Sequence, residues 1–371
     1  MKTTTYSRSS YHYDIPEHLI AQSPSEHRDQ SRLLQRTSNG KVTHHQFHDL
    51  IDILTKDDLI IMNNTKVYQA RIFGNIDTGA KCELLLLEYN PADNEWLCIG
   101  KPIKKFRPGR IIAFQDGVNA EITRLEEDEK TLTPFTVRFN LSYDDLHKWL
   151  EKHGHIPLPP YIRRPQQRSD SHEQDQQRYQ TVYAQHRGSV AAPTAGLHFT
   201  DDLLKKLRTK NIDITYTTLH VGAGTFLPVK SDDIREHTMH TEHYLIPRDT
   251  LQKITRAQNN QKNIICIGTT TLRSLESFYL ASTQNDLPMT DLTDKWLKTD
   301  LFIYPNASHK NYKPWAINAL LTNFHQPESS LLMLVSAIIG SEEIKNLYKN
   351  AINENYRLFS YGDASLLWLP T

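Results

Sequence analysis

LIIMNNTKVYQARIFG, Leu59–Gly74, is where the chain changes character. LIIMNN is a continuous apolar run ending in two amides, the pattern of a strand covered on both faces. Beyond Lys66 the runs become short, with period-two or continuous apolar character: VYQARIFG, KCELLLLEY, EWLCIG, RIIAFQ, NAEITRL and FTVRFN. Polar or Gly/Pro-bearing turns separate them, at Asn75–Gly79, Asn90–Asn94, Arg107–Gly109, Asp116–Gly117 and Glu126–Lys130. Short strands at such regular spacing predict a small antiparallel barrel or sandwich.

On either side the pattern is of another kind. Upstream, a helix is expected over Phe47–Leu54. Downstream come an expected helix Asp144–Lys152, the proline-rich GHIPLPPYIRRP of Gly154–Pro165, and a polar stretch 166–178 that reads as a surface loop. Thr200 is an N-cap for DDLLKKLRTK, with acids in the first turn and bases in the last. IDITYTTLHV, IICIG and INALLTN read as strands, whereas TLRSLESFYLA, the Ser-capped SLLMLVSAIIG and Glu342–Asn353 read as helices. RLFSYGDASLLWL is expected to close the chain as a hairpin. Alternation of strands and helices argues for an α/β layer. The expected fold is therefore mixed α/β: a discontinuous α/β sandwich domain, residues 1–65 and 151–371, interrupted by an inserted antiparallel β-barrel domain, residues 66–150.

Composition agrees with a globular protein. The chain has 371 residues, 38% hydrophobic and 23% charged, and its 43 Lys+Arg balance 43 Asp+Glu. That composition excludes a disordered or collagen-like chain, and zero net charge excludes a nucleic-acid binder acting through bulk charge. A local basic face is still allowed. Cys82, Cys98 and Cys266 form no CxxC pair, so neither a disulfide framework nor a zinc site is expected. The N-terminus lacks the apolar core of a signal peptide. The most apolar window, Leu331–Gly340, is about half of what a spanning helix needs. A cytoplasmic protein, with no membrane partner, is the expectation.

Several loops carry chemical content. LHVGAGTFLP places Gly222, Gly224 and Thr225 after a strand, yet Leu227 and Pro228 stand where a dinucleotide fingerprint needs a glycine and a helix. The turn either only supplies special dihedrals or lets the backbone approach a nucleoside closely. IGTTTLRSLES opens a helix at Gly268, so Thr269, Thr270 and the helix N-terminus offer a site for a carboxylate or phosphate. Arg273 lies on the same helix, three residues before Glu276, and either serves that site or pairs with Glu276. Among 18 histidines, His198, His220 and His325 lie in or beside strand-to-helix loops, where α/β sheets place ligands. Asp363 reads as a turn residue. KPIKKFRPGR, Lys101–Arg110, holds five positive charges, no acid and one aromatic, Phe106. Arg163, Arg164 and Arg168 add to the basic side. Such clusters form either a solvated face or a phosphate-contacting patch.

In combination, these motifs resemble the S-adenosylmethionine:tRNA ribosyltransferase-isomerase family of queuosine synthesis. The matching stretches include YDIPEHLIAQSP, NNTKVYQARIFG, GHIPLPPYI, SVAAPTAGLHFT, LHVGAGTFLPV, GTTTLRSLES, LLTNFHQPESSLLMLVSAIIG and YRLFSYGDA, in family order from Tyr11 to about Leu367. Residues 306–316 depart from the family pattern and carry no role. The resemblance implies transfer and isomerisation of the ribosyl group of S-adenosylmethionine onto 7-aminomethyl-7-deazaguanine at the tRNA wobble position, giving epoxyqueuosine with release of adenine and methionine. It implies S-adenosylmethionine as co-substrate, no permanently bound cofactor and no metal, and tRNA as partner of a monomer.

On that reading His198, His220 and His325 are acid/base candidates. Gly222, Gly224 and Thr225 admit the nucleoside, and Thr269, Thr270 and Arg273 hold the methionine carboxylate or a phosphate. Lys104, Lys105, Arg107 and Arg163 contact the tRNA. The alternatives are an S-adenosylmethionine-dependent methyltransferase and a non-catalytic RNA-binding protein.

Overall fold

The computed structural model describes residues 6–125, 134–164, 169–222, 224, 229–306 and 311–370. Strands Arg32–Arg36 (β1) and Val42–Gln46 (β2) lead to a 3-10 turn Phe47–Asp49 and a short helix Leu50–Ile53 (α1), which together fill the helix expected there. LIIMNN forms strand Asp58–Asn63 (β3), buried along its whole length, and Thr65–Val67 (β4) follows.

Six strands then make a closed barrel: Arg71–Ile76 (β5), Lys81–Asn90 (β6), Glu95–Lys101 (β7), Ile111–Ala113 (β8), Asn119–Leu125 (β9) and Phe135–Phe139 (β10). Every pairing in it is antiparallel. Period-two patterning is the cause: Leu84, Leu86, Cys98, Ile122 and Val137 are buried while their chain neighbours are more exposed or turn outward. Helix Tyr143–His153 (α2) contributes Leu146, Trp149 and Leu150 to the same core.

Residues 169–178 are not a loop but a helix, Ser169–Arg178 (α3). It lacks apolar periodicity, and a buried carboxylate anchors it instead. Asp175 takes a two-pronged ion pair from Arg164, at 2.7 and 2.8 Å, and a hydrogen bond from Tyr361 at 3.0 Å. A small parallel pair joins β4 to His186–Ser189 (β11).

The remaining elements alternate: Asp201–Thr209 (α4), Asp213–His220 (β12), Glu242–Leu245 (β13), Arg248–Asn259 (α5), Asn263–Ile267 (β14), Thr269–Gln284 (α6), Met289–Leu292 (α7), Leu297–Thr299 (β15), Ala319–Asn323 (β16), Ser330–Ile339 (α8), Ser341–Asn353 (α9) and Ala364–Trp368 (β17). They complete a nine-stranded sheet of order β15-β13-β12-β3-β14-β16-β17-β1-β2. Its centre, β12-β3-β14-β16, is parallel. The C-terminal segment is no hairpin: β17 pairs antiparallel with β16 and parallel with β1. Residues 357–363 form the loop before it.

Successive residues of the central strands feed opposite cores. Ile61 and Cys266 pack with α5, α6, α8 and α9, whereas Ile60, Met62 and Ile265 pack with α1 and α4. Helices thus cover both faces, and ligands of such sheets bind beyond the carboxyl ends of the strands. Among the described residues no helix is long and apolar enough to cross a membrane.

Candidate active site

A cleft opens at that carboxyl edge. The ends of β14 and β16, the N-termini of α6 and α8, the loop 191–195, the proline-rich strap at Pro159–Tyr161 and the loop 359–360 surround it. Strand β14 runs into Gly268, held at φ 86°, and α6 starts without a side-chain cap. The amides of Thr269 to Thr271 precede the first intrahelical bond, so this end carries partial positive charge into the cleft. The N-terminus of α8 arrives beside it, with Ser329 Oγ capping the Leu332 amide at 3.2 Å and Ser330 and Leu331 on the wall.

Thr269, Thr270 and Arg273 all line the cleft. Arg273 does not pair with Glu276. Its Nη1 pairs with Glu242 in a buried ion pair, Nε donates to the Leu301 carbonyl at 3.1 Å, and Nη2 has no partner. Glu276 instead accepts from Tyr312 Oη at 2.7 Å and from the Trp315 amide at 2.9 Å, and burial raises its pKa. The second oxygen of Glu242 accepts the Gly222 amide at 2.9 Å. Gly222 and Gly224 do not themselves line the cleft, but that carboxylate couples their turn to Arg273. Gly224 is required by close approach, because a Cβ there would stand 2.4 Å from His240 Cδ2. Thr225 lies outside the described residues.

The three histidines occupy different places. His325 lines the cleft. Its Nε2 lies 3.0 Å from Thr322 Oγ1, and its amide donates to Tyr348 Oη at 2.9 Å. Thr322 thus orients the ring through one of its two nitrogens. Burial lowers its pKa to about 3, so it is neutral at physiological pH.

His198 sits behind the wall. Nδ1 lies 2.6 Å from Ser31 Oγ, Nε2 lies 3.2 Å from Asn323 Nδ2, and the ring stacks on Phe47 at 4.9 Å. Burial first, then Arg28 and Arg357, lower its pKa to about 3. His220 points away from the cleft that its neighbour Val221 lines. It bonds Thr65 Oγ1 at 2.8 Å and stacks on Trp296 at 4.6 Å. Burial, with His243 and His186 nearby, lowers its pKa to about 4. Gly188 is what lets that ring in: a Cβ there would stand 2.5 Å from Nε2.

Residues that sequence reading passed over complete the walls. Tyr161 packs on Phe359 at 4.9 Å and hydrogen-bonds Ser360 Oγ at 2.6 Å. Phe359 holds φ 73°, a conformation that costs a bulky residue of order 1–3 kcal/mol. Its carbonyl accepts from Asn323 Nδ2 at 3.1 Å and from the Gly362 amide at 3.0 Å. Asp363 organises this loop, taking the amides of Arg32 at 2.9 Å and Arg357 at 2.8 Å. Asn63, at the end of β3, accepts from the amides of Leu219 and Thr65 and donates to Thr270 Oγ1 at 3.2 Å. Asn63 and Asn323 do carry a signal: an amide at the end of an otherwise apolar buried strand must satisfy its bonds at the strand's carboxyl edge.

The basic candidates lie elsewhere. Lys104 and Lys105, in the 3-10 turn Ile103–Lys105, and the nearby Arg107 are exposed on the barrel, while Phe106 is buried and packs on Phe135 at 4.5 Å. Arg163 is exposed and pairs with Glu17 at 3.1 Å. Arg168 lies outside the described residues. Among the described residues no group of three or more His, Cys, Asp or Glu is placed to hold a metal.

Comparison with known proteins gives this arrangement its relatives. The family model described as Queuosine biosynthesis protein matches residues 8–367. The S-adenosylmethionine:tRNA ribosyltransferase-isomerase of Treponema denticola is 47% identical over 365 residues, 96% of this chain and 98% of that one. The protein of the same name from Clostridioides difficile is 41% identical over 361 residues, with 96% and 98% covered. A crystal structure of an S-adenosylmethionine tRNA ribosyltransferase from Thermotoga maritima superposes with a TM-score of 0.50 at 28% identity, covering 97% of this chain and 100% of that chain. Because the match runs through barrel, sheet and every loop around the cleft, the chain belongs to the queuosine biosynthesis protein family.

Proposed function

We propose that the protein transfers and isomerises the ribosyl group of S-adenosylmethionine onto 7-aminomethyl-7-deazaguanine in the wobble position of tRNA, releasing adenine and methionine. The observation that carries this reading is a cleft walled by aromatic rings and closed at one end by Arg273 and two helix N-termini, in a chain of this family.

The residues divide the work by chemistry. Thr269, Thr270 and the α6 amides hold the methionine carboxylate, with the Arg273 guanidinium adding charge. Tyr161 and Phe359 offer flat faces to a nucleobase. The sulfonium acidifies the adjacent 5′ carbon, and of the three candidate histidines only His325, neutral but a weak base at a pKa of about 3, stands on the cleft to receive that proton. Adenine leaves with the glycosidic electron pair and a proton. The neutral aminomethyl nitrogen forms the new bond to the ribosyl carbon and gives up one N–H proton, which balances the proton that adenine takes. Methionine leaves as a neutral thioether that keeps the C–S electron pair. His198 and His220 act through the walls: His198 holds Asn323, and His220 holds the strand end at Thr65.

We assign the sheet, 1–65 with 151–371, to this chemistry, and the barrel insert, 66–150, to gripping tRNA through Lys104, Lys105 and Arg107, with Arg163 on the neighbouring strap. The protein works as a cytoplasmic monomer.

Incubation with S-adenosylmethionine and precursor tRNA tests the reading. Adenine and methionine are the expected small products. S-adenosylhomocysteine would instead identify a methyltransferase, and binding without turnover a non-catalytic RNA-binding protein.

A further inference from the structure

We propose that the groove between barrel strand β5 and the strap 155–158 takes an unpaired nucleotide of the RNA substrate, with Phe73 as its stacking surface. The inference rests on the RNA-modifying reading above and adds the route by which the strand reaches the cleft.

Strand β5 alternates, and its outward face carries Arg71 and Phe73. Phe73 is 46% exposed, an unusual position for a phenylalanine on a barrel whose core is otherwise closed. Its ring is anchored by two neighbours, one of them a guanidinium lying over it. The Arg71 guanidinium carbon stands 5.1 Å from the ring centroid, and the His155 ring meets it edge-on at 5.2 Å. With 46% of its surface exposed, the ring so anchored stands on the groove.

The charges around it are unequal. The carboxylates of the groove are already paired, Glu83 with Arg71 at 2.7 Å and Asp175 with Arg164 at 2.7 Å. Lys81 and Lys101, also on the groove, are exposed and have no carboxylate partner among the described residues. What remains is an exposed aromatic ring with two lysines on the same groove, neither in an ion pair among the described residues. Unpaired nucleic acid satisfies both, with a base on the ring and phosphates on the lysines.

Two continuities tie the groove to the rest of the site. The strap is sewn to β5 by backbone bonds in both directions between Arg71 and His155, at 3.1 and 2.7 Å. The same strap runs on through Leu158 on the groove to Pro159 and Tyr161 on the cleft. At the other end, Lys101 is followed by the exposed Lys104, Lys105 and Arg107. Cations, aromatic face and cleft thus follow one another along the surface.

The test compares binding of an anticodon stem-loop RNA with that of a blunt RNA duplex of equal charge. Phe73→Ala and Phe73→Leu should each weaken stem-loop binding about tenfold, the low end of what one stacked base contributes. Phe73→Trp should restore it. Duplex binding and the KM for S-adenosylmethionine should stay as in the parent. Joint replacement of Lys81 and Lys101 by Ala should lower the salt dependence of stem-loop binding. A Phe73→Leu variant that binds the stem-loop like the parent, or loses stem-loop and duplex equally, overturns the proposal. If the parent turns over tRNA in that case, the groove assignment alone falls. If the parent binds neither RNA, the RNA-modifying reading falls with it.

Discussion

Arg273 and Glu242 form an ion pair whose side chains are 5% and 4% exposed. The pair joins helix α6 to the first residue of strand β13: Arg273 lines the cleft, and Glu242 also holds the Gly222 amide. Glu242→Gln keeps the shape and one acceptor but leaves the guanidinium buried without a counter-charge. Unfolding free energy should fall by about 3–5 kcal/mol. The double variant Glu242→Gln with Arg273→Gln buries no charge and should recover much of that stability while still binding S-adenosylmethionine poorly. Denaturant unfolding and the KM for S-adenosylmethionine read the two effects separately. A double variant no more stable than Glu242→Gln would show that the pair's charge is not what the fold depends on.

The two most enclosed histidines make stability depend on acid. His198 and His325 have pKa values of about 3 in the folded protein, against an ordinary 6.5. Above pH 6.5 both are neutral folded and unfolded, so neither contributes. Below it the unfolded chain binds protons that the fold refuses, so stability falls as pH drops from about 6.5 toward 3. Each histidine should add about 1 kcal/mol of loss per pH unit within that window. Urea unfolding at pH 7 and pH 5 measures the difference. His198→Asn should reduce the slope, even at a cost to stability from the lost stacking on Phe47. A slope unchanged in that variant would mean that His198 is protonated in the fold.

The fold was legible where side-chain period sets structure. The switch at Lys66 marks the approach to the barrel because antiparallel strands with one wet face must alternate. The helix Ser169–Arg178 was hidden, since it is fixed by Asp175 and not by an apolar stripe. The strand Ala364–Trp368 reads like half of a hairpin, and only the sheet reveals its two distant partners. At the site, the TTT helix start and Arg273 were legible from local chemistry. The partner of Arg273 was not: Glu242 lies 31 residues away, and Glu276, three residues along the same helix, was the nearer choice. Histidine alone was a poor guide. Loop context brought out His198, His220 and His325 together, but which side of the wall each ring faces is decided by Ser31, Trp296 and Thr322.

Asp363 should matter more than its place in a turn suggests. Both carboxylate oxygens accept backbone amides, of Arg32 and Arg357, and the loop so held keeps Phe359 at φ 73°. Burial raises the Asp363 pKa. Asp363→Asn puts an NH2 group where one amide needs an acceptor. A loss of about 1–3 kcal/mol of stability is expected. Catalytic efficiency should fall further than stability alone explains, because Phe359 and Ser360 line the cleft. Kinetics well below the melting transition separate the two, and unchanged kcat/KM there would leave Asp363 a purely structural residue.

The basic turn on the barrel yields the last prediction. Lys104, Lys105 and Arg107 are exposed and follow one another at the end of β7, without a carboxylate partner among the described residues. Zero net charge for the chain means that any phosphate attraction must be local, and these side chains are the local excess. Each phosphate contact contributes about 0.7 to the slope of log affinity against log salt on a single strand and about 0.9 on a B-form DNA duplex, which brackets a stem-loop. The triple Ala variant should therefore bind tRNA more weakly at low salt and lose about two units of slope. The KM for S-adenosylmethionine should not move, since none of the three lines the cleft. At high salt the variant and parent should converge, because screening removes from the parent what substitution removed from the variant. Salt titrations that coincide for variant and parent, with the same slope, would show that the turn is a solvated face and that tRNA is gripped elsewhere.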